Sequence, residues 1–242
     1  MSKMNLFCFP FAGGFSSVFL KWKEELDNQL QIRPVELAGR GTRTNEPLYK
    51  NFKQAVNDVY LNIRDELDCA PYAFFGHSMG SQLAYELYYK IRMNGHRLPS
   101  ILFLSAQNPP HVPIKKYKHT LCKDELKNEL LQMGGTSDSF FNDNKLLEMF
   151  IPVLMTDFKI AEEHIYKKRK KLIDSELVIL NGKDDEGTDS GEIKEWEAYT
   201  NKTCNVYEFD GGHFYLNEQL SDVINIINQH MNLIETKTIY TS

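Results

Sequence analysis

The sequence predicts an α/β fold, with a mostly parallel, twisted sheet, helices on both faces and a helical cap inserted near one edge. Three observations carry this prediction. Short apolar runs alternate with helical patterns along most of the chain. A serine sits in the sharp turn Gly76-His77-Ser78-Met79-Gly80 between one such run and one such helix. From Gln107 to about Lys171 the alternation gives way to helical patterns alone. Alternating strands and helices imply parallel strands joined by right-handed crossovers, because a tight hairpin cannot connect a parallel pair.

Residues 6–9 form a short apolar strand, and Pro10-Phe11-Ala12-Gly13-Gly14 is a glycine loop at its end. Helical spacing follows over residues 18–30, and residues 31–37 read as a second strand closed by the turn Ala38-Gly39-Arg40-Gly41. Phe52, Val56, Val59, Ile63 and Leu67 recur at helical spacing, so a helix precedes the strand at 72–75. A helix over 81–93 stops at Asn94-Gly95, and residues 101–106 form a buried strand. The next segment opens with Pro109-Pro110 and Pro113, then holds helical patterns at 123–133, 144–155 and 157–170 with no strand signal. It is expected to cover the carboxyl edge of the sheet. The rhythm then resumes with a strand at 177–180, a short helix at 192–199, a strand at 204–209 and a closing helix at 218–233, leaving 236–242 as a frayed tail. The expected organisation is a core of residues 1–106 and 172–242 with a helical lid at 107–171.

Composition narrows the function classes. The chain has 242 residues, 42% of them hydrophobic and 25% charged, as in ordinary soluble globular proteins. A net charge of −5 argues against a general nucleic-acid binder. The first residues are too short and polar a run to open a signal peptide, and no stretch approaches the roughly 20 apolar residues of a membrane span. Cys8, Cys69, Cys122 and Cys204 include no C-x-x-C pair and no histidine partners at zinc-finger spacing. Free thiols in a cytoplasmic protein, with no metal, no membrane and no nucleic acid, are therefore expected. Nothing signals a large obligate interface, so a monomer is expected.

The chemistry gathers at the serine turn. A serine attacks a carbonyl only when its hydroxyl is held out of the fold in front of a base, which a strained strand-to-helix turn achieves. Gly76 and Gly80 flank Ser78 where a side chain would collide with the neighbouring elements. The bland alternative is a glycine-bounded turn whose serine merely caps a helix; the strand before the turn and the helix after it favour the nucleophile reading. In an open α/β sheet ligands bind beyond the carboxyl ends of the strands, so catalytic partners belong on loops directly after strands. Two loops qualify, Asn181-Gly182-Lys183-Asp184-Asp185 and Asp210-Gly211-Gly212-His213-Phe214. The order Ser78, Asp185, His213 is that of α/β-hydrolases. Spacing alone leaves Asp184 open as the acid, with Asp210 a third candidate. His213 is the base because it alone among the histidines follows a strand near the end of the chain; His77 lies inside the turn and is expected to point elsewhere, and His96, His111, His119, His164 and His230 are expected at the surface or in the cap. The oxyanion donors would be the amide of Met79, at a helix start, and that of Phe11 or Ala12 in the first loop.

Taken together, these stretches resemble type II thioesterases, the free-standing editing enzymes of nonribosomal peptide and polyketide synthetases such as that of surfactin synthetase. The resemblance rests on Phe9-Pro10-Phe11-Ala12-Gly13-Gly14, Gly39-Arg40-Gly41, the serine turn, Ser105-Ala106-Gln107-Asn108-Pro109-Pro110-His111, Leu131-Gln132-Met133-Gly134-Gly135, Gly182-Lys183-Asp184-Asp185 and Asp210-Gly211-Gly212-His213. It spans nearly the whole chain. It implies Asp185 as the acid, and hydrolysis of aberrant or misprimed short acyl groups from the phosphopantetheine arm of peptidyl or acyl carrier proteins, with no cofactor of the enzyme's own. Ser81 departs from the pattern, standing where the family usually has a second glycine. A carboxylesterase or lipid hydrolase on the same fold is the alternative.

Two further features admit two readings each. Residues 167–171 form a run of five positive charges, either a solvated face suited to a helix end or a docking patch for an acidic partner. Phe140, Phe141, Phe150 and Phe158 are either the core of the cap or the lining of an acyl pocket.

Overall fold

A computed structural model describes residues 3–136 and 138–241. Its strands are β1 (Met4–Phe9), β2 (Leu30–Pro34), β3 (Tyr72–His77), β4 (Ile101–Ser105), β5 (Glu176–Gly182) and β6 (Cys204–Phe209). They form one sheet in the order β2-β1-β3-β4-β5-β6, with every neighbouring pair parallel. The α-helices are α1 (Phe52–Ile63), α2 (Met79–Met93), α3 (Lys123–Met133), α4 (Asn144–Glu162), α5 (Ser190–Lys194) and α6 (Leu220–Thr241).

Period-two alternation sorts the apolar strand residues onto two faces. Phe7, Phe9, Tyr72, Phe74, Leu102 and Leu104 share one core with residues of α1, α2 and α4. Leu6, Cys8, Ala73, Phe75, Ile101 and Phe103 face the other way, against Phe19, Trp22 and the α6 residues Val223, Ile224, Ile227 and Met231. Burying each such side chain is worth about 1.5–3 kcal/mol, so both faces are held by many small contributions. The topology also positions the site. The chain runs from β1 outward to β2 and then returns to the far side of β1 as β3, so the carboxyl ends of β1 and β3 flank the reversal point where such sheets bind ligands.

Several boundaries depart from the sequence expectation. The predicted helix at 18–30 is a 3-10 helix over Ser16–Glu24; its buried residues, Phe19 and Trp22, sit three apart, the repeat of that helix type. Instead of reaching residue 37, the second strand stops at Pro34, which lacks an amide for the ladder and is tolerated because β2 is an edge. The two patterns at 144–155 and 157–170 are one continuous helix, α4, which contains Pro152 and ends at Glu162. A single buried stripe through Leu147, Leu154 and Phe158 explains its continuity, and the Asp143 carboxylate caps its start by accepting from the amides of Lys145 and Leu146. The basic run 167–171 therefore lies beyond the helix end, in irregular chain. There Arg169 is half-buried, paired with Glu86 and stacked over Tyr89 at 4.8 Å. The closing helix continues through Thr241, where a frayed tail was expected; Ser242 lies outside the described residues.

Candidate active site

The serine turn follows β3 directly, at the carboxyl ends of the paired strands β1 and β3. Ser78 has φ 55° and ψ −118°, a strained backbone for a residue with a side chain, costing about 1–3 kcal/mol. The surroundings enforce it. A Cβ on Gly76 would stand 2.2 Å from the carbonyl oxygen of Gly80, and one on Gly80 would stand 2.1 Å from that of Phe9. These are backbone contacts, so neither neighbour can yield cheaply. The Ser78 amide donates to Ser105 O at 2.8 Å, which ties the turn to the end of β4. Ser81 is fully buried behind it: its hydroxyl lies 2.7 Å from Gly76 O and 2.9 Å from Ser105 O, and accepts from the Ser105 amide at 2.9 Å. The Ser81 hydroxyl thus bridges β3, α2 and β4.

The loops after β5 and β6 meet across the turn. His213 Nδ1 lies 2.8 Å from Asp185 Oδ2, and the other carboxylate oxygen accepts from the Gly187 amide at 2.9 Å. Burial raises the Asp185 carboxyl, but the His213 and Gly187 hydrogen bonds and the nearby imidazoles outweigh it, so its pKa falls below the ordinary value. Asp184 is exposed, and Asp210 pairs at the surface with Lys183 at 2.6 Å. Of the three candidate acids, Asp185 is the one bonded to the histidine. Among the described residues no group of histidine, cysteine, aspartate and glutamate could hold a metal.

Ser78, His213 and Asp185 line one cavity of about 310 Å³, together with Met79, Ala12 and Phe158. Phe11 is not on its wall. The Phe11 ring packs edge-on against Phe214 at 4.8 Å and His77 at 5.9 Å, so of the two residues considered for the second oxyanion donor, Ala12 is the one at the cavity. A serine at a strained turn, a histidine and a buried carboxylate on one cavity are the parts of acyl transfer through a covalent intermediate.

Residues 4–231 match the Thioesterase domain family. The chain belongs to that family. Gramicidin S biosynthesis protein GrsT of Aneurinibacillus migulanus is 29% identical over 234 residues, covering 96% of this chain and 91% of GrsT. The medium-chain S-acyl fatty acid synthase thioesterase of Homo sapiens is 30% identical over 242 residues, covering 97% of this chain and 89% of the human protein. Among solved structures, ClbQ from the colibactin NRPS/PKS pathway superposes with a TM-score of 0.91 at 29% identity, covering 97% of this chain and 99% of ClbQ. The resemblance to type II thioesterases read from the sequence agrees with these relatives. No helix among the described residues is long and apolar enough to cross a membrane.

Several polar residues of this thioesterase's site escaped sequence reasoning. His77 is fully buried behind the cavity, its ring 5.3 Å from that of His213. Its Nδ1 lies 2.8 Å from Ser105 Oγ, which in turn lies 2.6 Å from the Tyr215 hydroxyl. Burial holds His77 well below the ordinary histidine pKa, and His213 adds to the effect, so His77 stays neutral. Arg40 and Asp157 form a buried ion pair whose partners are 117 positions apart. The available signals were slight: an arginine between two glycines, and one aspartate on the apolar stripe of a helix. His230, expected at the surface, is buried on α6 with its Nε2 2.9 Å from the Tyr207 hydroxyl. The cap aromatics divide: Phe140 packs on Phe141 and Phe150, whereas Phe158 lines the cavity.

Proposed function

We propose that this thioesterase hydrolyses short, misprimed acyl groups from the phosphopantetheine arm of peptidyl or acyl carrier proteins, with Ser78 as nucleophile, His213 as general base and acid, and Asp185 as the group that orients it. The observation that carries the reading is the 2.8 Å bond between His213 and Asp185 on the cavity that Ser78 lines, in a chain whose relatives include GrsT and ClbQ.

In this mechanism His213 takes the Ser78 proton as the hydroxyl oxygen attacks the thioester carbonyl. The negative charge on the carbonyl oxygen is met by the amides of Met79, at the positive end of α2, and Ala12, with Phe11 as the other candidate. Collapse expels the pantetheine sulfur. With a thiol pKa near 8.5 the sulfur needs less help to leave than an alkoxide does, and the departing thiolate takes the proton that His213 holds, giving the free thiol and a neutral His213. Water then adds to the acyl-serine, giving its proton to His213, and a second collapse returns that proton to Ser78 and frees the carboxylic acid. Asp185 keeps the proton of neutral His213 on Nδ1, leaving Nε2 free to accept, and stabilises the imidazolium between steps. Residues 107–171 act as a cap that admits the slender arm while the carrier stays outside.

The test is release of labelled acetate from an acetyl-phosphopantetheinyl carrier protein, set beside a free acetyl thioester and a p-nitrophenyl ester. Clearance of the carrier at a kcat/KM well above that for either free substrate, with Ser78→Ala inactive on all three, supports the assignment. Equal rates on all three would assign the chain to general esterase chemistry, and turnover by Ser78→Ala would remove Ser78 from its role.

A further inference from the structure

A buried ion pair outside the catalytic residues, Arg40 with Asp157, joins three segments that are distant in sequence. The side chains of Arg40 and Asp157 are both 0% exposed. Their contact is bidentate, with Arg40 Nη1 2.6 Å from Asp157 Oδ2 and Nη2 2.8 Å from Oδ1. Asp157 Oδ2 also accepts the Gly13 amide at 2.8 Å, and Arg40 Nη1 donates to Gly14 O at 3.2 Å. The loop after β1, the turn after β2 and the middle of α4 are thus clamped at one point. Gly13 has φ 75°, and a Cβ there would stand 2.9 Å from the Phe150 ring and 3.1 Å from Leu154, so α4 lies directly against this loop.

A buried ion pair is a poor device for stability, because apolar side chains of similar volume fill the same space without desolvating two charges. They cannot accept the Gly13 N–H, however. That bond fixes the plane of the Ala12–Gly13 peptide, and the Gly14 amide donating to Phe11 O at 2.8 Å closes the same turn on the Phe11–Ala12 peptide, so the two together set Ala12, which lines the cavity beside Ser78. We propose that Arg40 and Asp157 are positioning residues for the oxyanion site: Asp157 holds the loop after β1 through the Gly13 amide, and Arg40 holds Asp157. The inference rests on the assignment of Ser78 as nucleophile. It makes α4 part of the catalytic framework.

Two double variants separate positioning from packing. Arg40→Met with Asp157→Leu removes both charges at similar volume. Arg40→Met with Asp157→Asn removes both charges but keeps a side-chain oxygen for the Gly13 amide. The leucine variant is expected to fold, with a native circular dichroism spectrum, and to lose about 10²–10³-fold in kcat on a soluble acyl thioester, the effect of losing one oxyanion donor, while KM changes less than about threefold. The asparagine variant is expected to recover at least tenfold of that loss. A folded leucine variant with native kcat, equal kcat in the two variants, or loss of the folded state in the leucine variant would overturn the proposal. Turnover by the native chain but not by Ser78→Ala scores the assignment of Ser78; the ratio between the two variants scores the clamp.

Discussion

Asp184 and Asp185 are neighbours of identical chemistry with opposite surroundings. The turn that begins with the Asp185 amide donating to Gly182 O sends one carboxylate into the cavity wall and leaves the other in solvent. Spacing supplied both candidates and could not choose between them, and only the family resemblance implied Asp185, because side-chain direction in a loop is decided by tertiary hydrogen bonds that no local pattern encodes. If the assignment is right, Asp185→Asn lowers kcat by about 10⁴-fold, since the amide favours the wrong histidine tautomer, whereas Asp184→Asn stays within about threefold of native. Steady-state kinetics on a soluble acyl thioester measures both. That Ser78 and His213 would meet at one cavity, by contrast, was legible, because a strained serine turn needs glycines at set distances and the histidine loop follows a strand. Arg40 and Asp157 were not, since nothing in either segment names the other.

At the scale of elements, legibility followed burial. Four of the strands, β1, β3, β4 and β5, are runs buried on both faces, the edge strands β2 and β6 are only partly buried, and the errors in all six are confined to ends. Helices that lean on solvent or on the cap were less well bounded: the basic run 167–171 suggested a helix end, but Arg169 is taken up by Glu86 and Tyr89 outside any helix. One tie between elements has a pH signature. Asp58 on α1 accepts from the Arg43 guanidinium at 2.7 and 2.9 Å and from the Tyr49 hydroxyl at 2.6 Å. Burial raises the Asp58 carboxyl, and the Arg43 and Tyr49 bonds outweigh it, so its pKa lies below the ordinary aspartate value in the folded chain. A carboxyl held low when folded stabilises fully above its unfolded pKa, about 3.9, and loses that contribution as pH falls through the folded value. Asp58→Asn is therefore expected to cost about 1–3 kcal/mol, nearer the lower figure because the pair is partly solvated. In urea melts the gap from native should be constant near neutral pH and shrink below about pH 4. A gap that widens in acid would contradict the assignment.

For the whole molecule, alternating strands and helices were enough to announce a parallel sheet, and the sheet's topology then fixes where chemistry happens. The turn after β3 and the loop after β1 meet because β2 is the outer strand and the chain doubles back past β1. The loops after β5 and β6 complete the cavity from the other side, and α4 closes it over the loop after β1. The order of strands was not legible, because pairing depends on crossovers whose direction leaves no mark in the sequence of any one segment. The proposal for the assembled molecule is that Ser78 is the nucleophile, activated by His213, which Asp185 orients. The most direct measurement is covalent labelling with an alkyl phosphonate that carries a thiol leaving group, followed by mass mapping of the digested chain. The account predicts one phosphonyl group per chain on the peptide containing Ser78, none in Ser78→Ala, and labelling of His213→Ala slowed by at least about 10³-fold. Label on any other residue, or a native chain that hydrolyses thioesters while Ser78 remains unlabelled, would contradict it.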